Sequence, residues 1–151
     1  MRNILYFIFI VVISGCAKGI SISSKNPTIL SVAKSKLGSP YSYGKAGEYS
    51  FDCSGFVYYV YKKNGYHIPR TSKAQSQMSQ KKIFSKRALK PGDILFFDTS
   101  DRGYVNHSGI YLGEMKFIHA SSGKAHSVTI SRLDRGFYKD RFLWGIRVIK
   151  P

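Results

Sequence analysis

The hydrophobic spacing of this chain changes period once, and that change limits the fold more than any other feature. Before the segment "LKPGD" (89–93), apolar residues recur three and four positions apart. One set is Ile29, Val32, Ala33 and Leu37; another is Phe56, Val57, Val60 and Tyr61. Such steps place side chains on one face of a helix. After it, "DILFFD" (93–98), "HSGIYLG" (107–113), "KFIHAS" (116–121), "SVTISRL" (127–133) and "LWGIRVI" (143–149) are short and rich in β-formers. Helices followed by strands predict an α+β domain, with three helices packed on a five-stranded antiparallel sheet. A chain of 151 residues, 43% of them hydrophobic, has room for one such domain and its core.

Helix ends are marked by the usual stop and start residues. Asn26 as N-cap and Pro27 at the first helical position open the first helix, and Gly38 with Pro40 closes it. "SPYSYGKAGEYS" then reads as a loop. Asp52 caps the second helix, which "KKNG" ends at Gly65. A third, short helix is expected at "TSKAQSQM", where Ser72 and Gln75 have capping-box spacing.

The first residues are a targeting segment. "MRN" carries a positive charge, "ILYFIFIVVI" is an apolar run too short for an ordinary membrane span, and "SGC" follows at once. Residues 1–15 therefore read as a signal peptide. "ISGC" resembles a bacterial lipobox, which implies lipidation of Cys16, a tether over 16–26 and a folded domain over 27–151. The expectation is an exported, membrane-anchored lipoprotein. Ala17 after the cysteine favours the outer membrane, facing the periplasm, if the host is Gram-negative. The net charge of +16 suits anionic headgroups and wall carboxylates, since an exported protein seldom meets nucleic acid. The densest basic run, "KKIFSKRALK" (81–90), reads as a solvated face.

With Cys16 lipidated, Cys53 has no partner for a disulfide, so its thiol is either buried or used. Its place in "SFDCSGFVYYVYKKNG" is the first turn of the second helix. There the unpaired amides and the helix dipole favour a thiolate, lower the thiol pKa, and can stabilise an oxyanion. Gly55 admits a close neighbour at this turn. Of four histidines, His67 and His126 sit beside loop residues and should be exposed. If "GEM" (113–115) is a three-residue hairpin loop, His107 faces Ser121 and Gly109 faces His119. Both rings then share one side of the hairpin, whereas a two- or four-residue loop would separate them. One imidazole can take the thiol proton while the other fixes its tautomer. Two ordinary half-buried histidines are the plain alternative. No CxxC or HxxxH pair is present, so neither metal nor other cofactor is expected.

Six collinear blocks, "GSPYSYGK", "FDCSGFVYYVYKKNG", "IPRTSKAQ", "LKPGDILFF", "NHSGIYLG" and "FIHAS", resemble the NlpC-type cell-wall cysteine peptidases, a papain-like family. The resemblance runs from about residue 29 to 148. It implies that Cys53 is the nucleophile, His107 the base and His119 the residue that orients it. Tyr41 in the "PY" block supports the active site, and Asp52 and Ser54 match positions associated with the amine end of the substrate. Arg70 in "PRTS" anchors a loop, and Trp144 belongs to core or groove wall. The implied reaction is hydrolysis of an amide in peptidoglycan stem peptides, either D-γ-glutamyl–diaminopimelate or the D-alanyl–diaminopimelate cross-link, by a monomer. The pattern departs at Tyr43 and Lys45, where a tryptophan and a second glycine are usual, and at Ser108, where valine is common. Two rivals remain open: a non-catalytic basic lipoprotein that binds wall or membrane, and a papain-like acyltransferase.

Overall fold

The computed structural model describes residues 28–149. The expected signal peptide, Cys16, the expected tether and the expected Asn26–Pro27 cap lie outside these residues. Helix α1 spans Ile29–Ser35 and begins later than expected, because Thr28 and Ser31 form a reciprocal capping box. Helix α2 spans Cys53–Lys63 and α3 spans Ser72–Ser76. The strands are β1 (Lys82–Ile83), β2 (Ile94–Phe97), β3 (His107–Gly113), β4 (Lys116–Ala120), β5 (Val128–Arg132) and β6 (Phe142–Ile146).

All strand pairs are antiparallel, in the order β1-β6-β2-β3-β4-β5. The sheet therefore has six strands, one more than the sequence predicts. The extra strand is β1, a two-residue piece inside the basic run at 81–90, too short to show alternation. It is held at the sheet edge by pairing Lys82 with Ile146 and Ile83 with Gly145.

Helix α2 lies on β3 and β4, with α1 and α3 packed against α2. Its Phe56, Val57, Val60 and Tyr61 are fully buried against Ile94, Phe96, Ile110 and Ile118. Each such side chain contributes roughly 1.5–3 kcal/mol on leaving water. The Tyr61 hydroxyl donates to the Gly92 carbonyl, tying the helix to the turn before β2. The opposite sheet face is also covered: Leu95, Phe97, Tyr111, Phe117 and Leu133 form a second cluster, flanked by Tyr138 and Phe142.

The β3–β4 hairpin reaches the expected register by another route. Glu114 and Met115, both in left-handed conformation, make a two-residue turn in which Gly113 faces Lys116. A bulge at Leu112 then absorbs one residue, so that Ile110 faces Ile118, the pairing a three-residue loop would have given. Without the bulge, the two-residue turn would place His107 and His119 on opposite sides.

Candidate active site

Three elements converge at the start of β3. Asp52 caps α2 by accepting from the Gly55 amide at 2.6 Å, and Cys53 is the first helical residue. Gly55 is obligatory here: a methyl group would run into the Lys45 carbonyl and approach Asp52 Oδ1 at 2.9 Å. That carbonyl accepts from the Asp52 amide at 2.8 Å, so the loop before α2 is clamped to its first turn.

The Cys53 sulfur lies 3.9 Å from the Asn106 carbonyl oxygen and also meets the Ser108 amide. The residue between these two contacts is His107. His107 and His119 stand on one side of the hairpin, with His107 Nε2 2.9 Å from His119 Nδ1. His119 Nε2 in turn lies 2.9 Å from Ser131 Oγ on β5. Gly109 makes this approach possible, because a methyl there would sit 2.9 Å from Phe117 and 3.1 Å from the His119 Cβ.

The rings share the sheet face of Phe97 and Phe117, away from the residues that pack on α2. Tyr138 stacks on His107 with centroids 5.7 Å apart and meets His119 edge-on at 4.9 Å. Ser108 projects to the other face and donates to Gln75 Oε1 at 3.1 Å. Gln75 is fully buried and also donates to the Ser54 and Pro69 carbonyls, at 3.1 and 2.9 Å. One side chain thus joins the residue after Cys53 to the residue after His107. Ser72 does not cap α3; Thr71 does, which leaves the Gln75 amide group for this bridge.

Burial decides the electrostatics. It pushes His107 down from its ordinary 6.5 to about 4, and His119 well below 6.5 with the charge of His107 as a second cause. The Cys53 thiol is pushed up, by burial first and the Asp52 charge second, against the amides of Ser108, Ser54 and Cys53, which favour the thiolate. The helix-start argument alone expects a lowered thiol; desolvation outweighs it. Burial thus favours the neutral form of both the thiol and the imidazole in the resting protein.

Asp52 and Ser54 are committed to each other and to Arg70. The guanidinium meets both Asp52 oxygens at 2.9 and 2.7 Å and donates to Ser54 Oγ at 3.1 Å. Arg70 thus anchors its loop to the α2 cap. Tyr41, Asp52, Cys53, Ser54 and Arg70 line one cavity of about 500 Å³. Burial raises the Tyr41 hydroxyl pKa, with the neighbouring Cys53 as the second cause. His107 lines a second cavity of about 550 Å³, together with Ser121, Lys124, Ser131 and Tyr138. Cys53 lines the first cavity and His107 the second. His67 and His126 are exposed, as expected; Tyr43 lines the Cys53 cavity beside Tyr41, whereas Trp144 lines neither of the two.

Sequence reasoning missed Tyr138, Gln75 and Ser131. Tyr138 lies in a turn segment with no pattern, and the role of Gln75 depends on tertiary packing. Ser131 carried a readable signal: Thr129 and Ser131 alternate with apolar neighbours in β5, which marks a polar stripe facing the histidines.

This architecture is that of a papain-like α+β domain. The chain belongs to the NlpC/P60 family, whose description matches residues 38–147. It is 41% identical over 115 residues to the probable peptidoglycan endopeptidase LytE of Bacillus subtilis, covering 76% of this chain and 32% of that protein. It is 34% identical over 118 residues to murein DD-endopeptidase MepH of Escherichia coli, covering 77% and 43%. The crystal structure of an NlpC/P60 family protein from Bacillus cereus superposes with a TM-score of 0.71 at 32% identity, covering 81% of this chain and 40% of that one. The chain thus spans less than half the length of each of these relatives.

Proposed function

We propose that this protein is a cysteine peptidase that hydrolyses an amide bond in peptidoglycan stem peptides, with Cys53 as nucleophile, His107 as base and His119 as the group that orients it. The contact between His107 Nε2 and His119 Nδ1 carries the proposal. It uses Nε2, so Nδ1 is the nitrogen left to act on the thiol. For Nδ1 to accept a proton, the ring hydrogen must sit on Nε2 and be donated to His119 Nδ1. His119 then carries its own hydrogen on Nε2 and donates to Ser131 Oγ. One tautomer at each ring satisfies the whole line.

In the reaction, His107 Nδ1 takes the Cys53 proton as the sulfur attacks the amide carbon. The first-turn amides favour the charge that develops on the carbonyl oxygen. His107 returns the proton to the leaving nitrogen, the C–N bond breaks, and a thioester remains. Water entering from the amine side gives a proton to Nδ1 and attacks the thioester carbon; the C–S bond breaks, the acyl group leaves as a carboxylic acid, and Nδ1 returns the proton to the sulfur. Tyr41 supports the cleft wall beside the sulfur, and Asp52 with Ser54, both held by Arg70, lines the adjoining cavity where a substrate amine would lie. Lipid attachment at Cys16 after removal of residues 1–15 would keep this domain at a membrane surface, and no palmitate label in a Cys16→Ala protein is the expected check.

Purified peptidoglycan incubated with the protein should release peptide fragments identifiable by mass spectrometry, with the new termini defining the bond. A Cys53→Ala protein should release none. Equal release by both would remove the catalytic assignment.

A further inference from the structure

The basic run at 81–90 has a structural use that the catalytic reading leaves open. Pairing of β1 with β6 brings the Lys82 ammonium over the Trp144 ring, 4.1 Å from its centroid. Between this pair, α3 and the segment leading into β3 lies a cavity of about 650 Å³, within the usual range for small-ligand sites of about 300–1,000 Å³. Lys73, Lys82, Ser76, Tyr104 and Trp144 line it, and so does Asn106. Asn106 also lines the Cys53 cavity, and its carbonyl oxygen is the one beside the sulfur. The two cavities therefore share a wall.

The lining has a definite chemical character. It holds two ammonium groups and no carboxylate, and neither lysine forms an ion pair among the described residues. The cation–π contact holds the Lys82 charge in place without neutralising it. Tyr104 and the Trp144 ring supply flat apolar surface, and Phe84, largely exposed, flanks Trp144 at 6.3 Å. The Trp144 Nε1–H is buried and has no acceptor among the described residues. Two positive charges, that of Lys82 held over the indole, beside an aromatic wall suit a carboxylate on an amphipathic body.

We propose that this cavity is a second subsite, which binds a free carboxylate of a peptidoglycan peptide while another part of the same molecule lies at Cys53. The proposal rests on the peptidase reading for the identity of its ligand. It assigns β1 a role in recognition, and it explains why two lysines face a cavity that contains no counter-charge.

Trp144 is the single tryptophan of the chain, so its fluorescence reports on this cavity alone. The full-length Cys53→Ala protein, which should cut nothing, would be titrated with soluble muropeptides prepared from peptidoglycan by a muramidase. A parallel titration would use the same muropeptides with their carboxylates amidated. A saturable fluorescence change is expected, weakened at least fivefold by amidation and to a similar degree by Lys82→Gln. Lys90→Gln removes the same charge outside the cavity and should leave binding unaltered. Equal weakening by both lysine variants would reduce the effect to net charge and overturn the subsite. An unchanged Trp144 signal, with wild-type protein still cleaving the same muropeptides, would overturn the subsite and leave the peptidase reading intact. A saturable signal with no cleavage by wild-type protein would uphold the subsite and remove the peptidase reading.

Discussion

The buried imidazole pair should make the fold sensitive to acid well above the pH at which carboxylates titrate. His107 is 7% exposed, and its surroundings are the rings of Phe97, Tyr138 and His119. Burial holds its folded-state pKa at about 4, whereas the unfolded chain takes up a proton near 6.5. As pH falls through 6.5 the unfolded state gains a proton that the folded state refuses, so stability falls. The loss continues until the folded protein also protonates, near pH 4, and above about 6.5 the group contributes no pH dependence. The interval corresponds to about 3 kcal/mol for His107, of the order of a third of the total stability of an ordinary domain. His119 is shifted in the same direction and adds to it. Urea unfolding followed by circular dichroism, at intervals from pH 7.5 to 4.2, measures the loss. His107→Gln supplies the reference: carboxylate effects elsewhere in the chain occur in both proteins and cancel. Wild-type protein should lose about 3 kcal/mol more than the variant across this range. Parallel curves, within about 0.5 kcal/mol, would refute the claim that the imidazole is held neutral by burial.

Two further expectations concern the supports of the site. Gln75→Leu keeps volume but leaves the Pro69 carbonyl and the Ser108 hydroxyl without partners, and should cost about 2–4 kcal/mol in urea unfolding; a loss under about 0.5 would show that the bridge between α2 and β3 is dispensable. Gly109→Ala places a methyl 2.9 Å from Phe117 and 3.0 Å from the Ile118 carbonyl, which forces β3 and β4 apart at the histidines. Thermal melts should show a loss of about 1–3 kcal/mol, and imidazole NMR signals should show the His107–His119 hydrogen bond disturbed; unaltered signals would mean the strands tolerate the group.

The parts of this arrangement that were legible in sequence are those written locally. Asp52, Cys53 and the three- and four-residue spacing of Phe56, Val57, Val60 and Tyr61 specify α2 within a single turn of its cap, and the structure follows them. The shared side of His107 and His119 was also legible, though the turn chemistry was not. "GEM" has the glycine first, and the choice between one loop with even pairing and a shorter turn with a bulge rests on two left-handed residues, Glu114 and Met115, which no local preference demands. Strand β1 escaped because two residues cannot alternate. Gln75 and Tyr138 escaped because their partners are 21 to 33 residues away for the first and, for the second, rings on strands that meet only in the folded sheet.

The thiol illustrates how a correct local rule loses to a larger tertiary effect. A helix start does offer amides to Cys53: those of Cys53, Ser54 and Ser108 all favour the anion. Yet the same folding that brings β3 to the sulfur strips water from it, and removing solvent from a charge costs more than a few oriented dipoles return. His107 meets the opposite side of this bargain, since burial disfavours its cation. Charge on either group alone is unfavourable in the resting cleft. On the proposed peptidase reading, a bound amide would change that balance, because transfer of the proton to His107 and attack on the carbonyl would occur together and the negative charge would move from the sulfur onto an oxygen. The first-turn amides that fail to ionise the thiol in the free protein would, on that reading, act where charge accumulates only at the transition state, so their stabilisation would lower the barrier and leave the ground state unaffected.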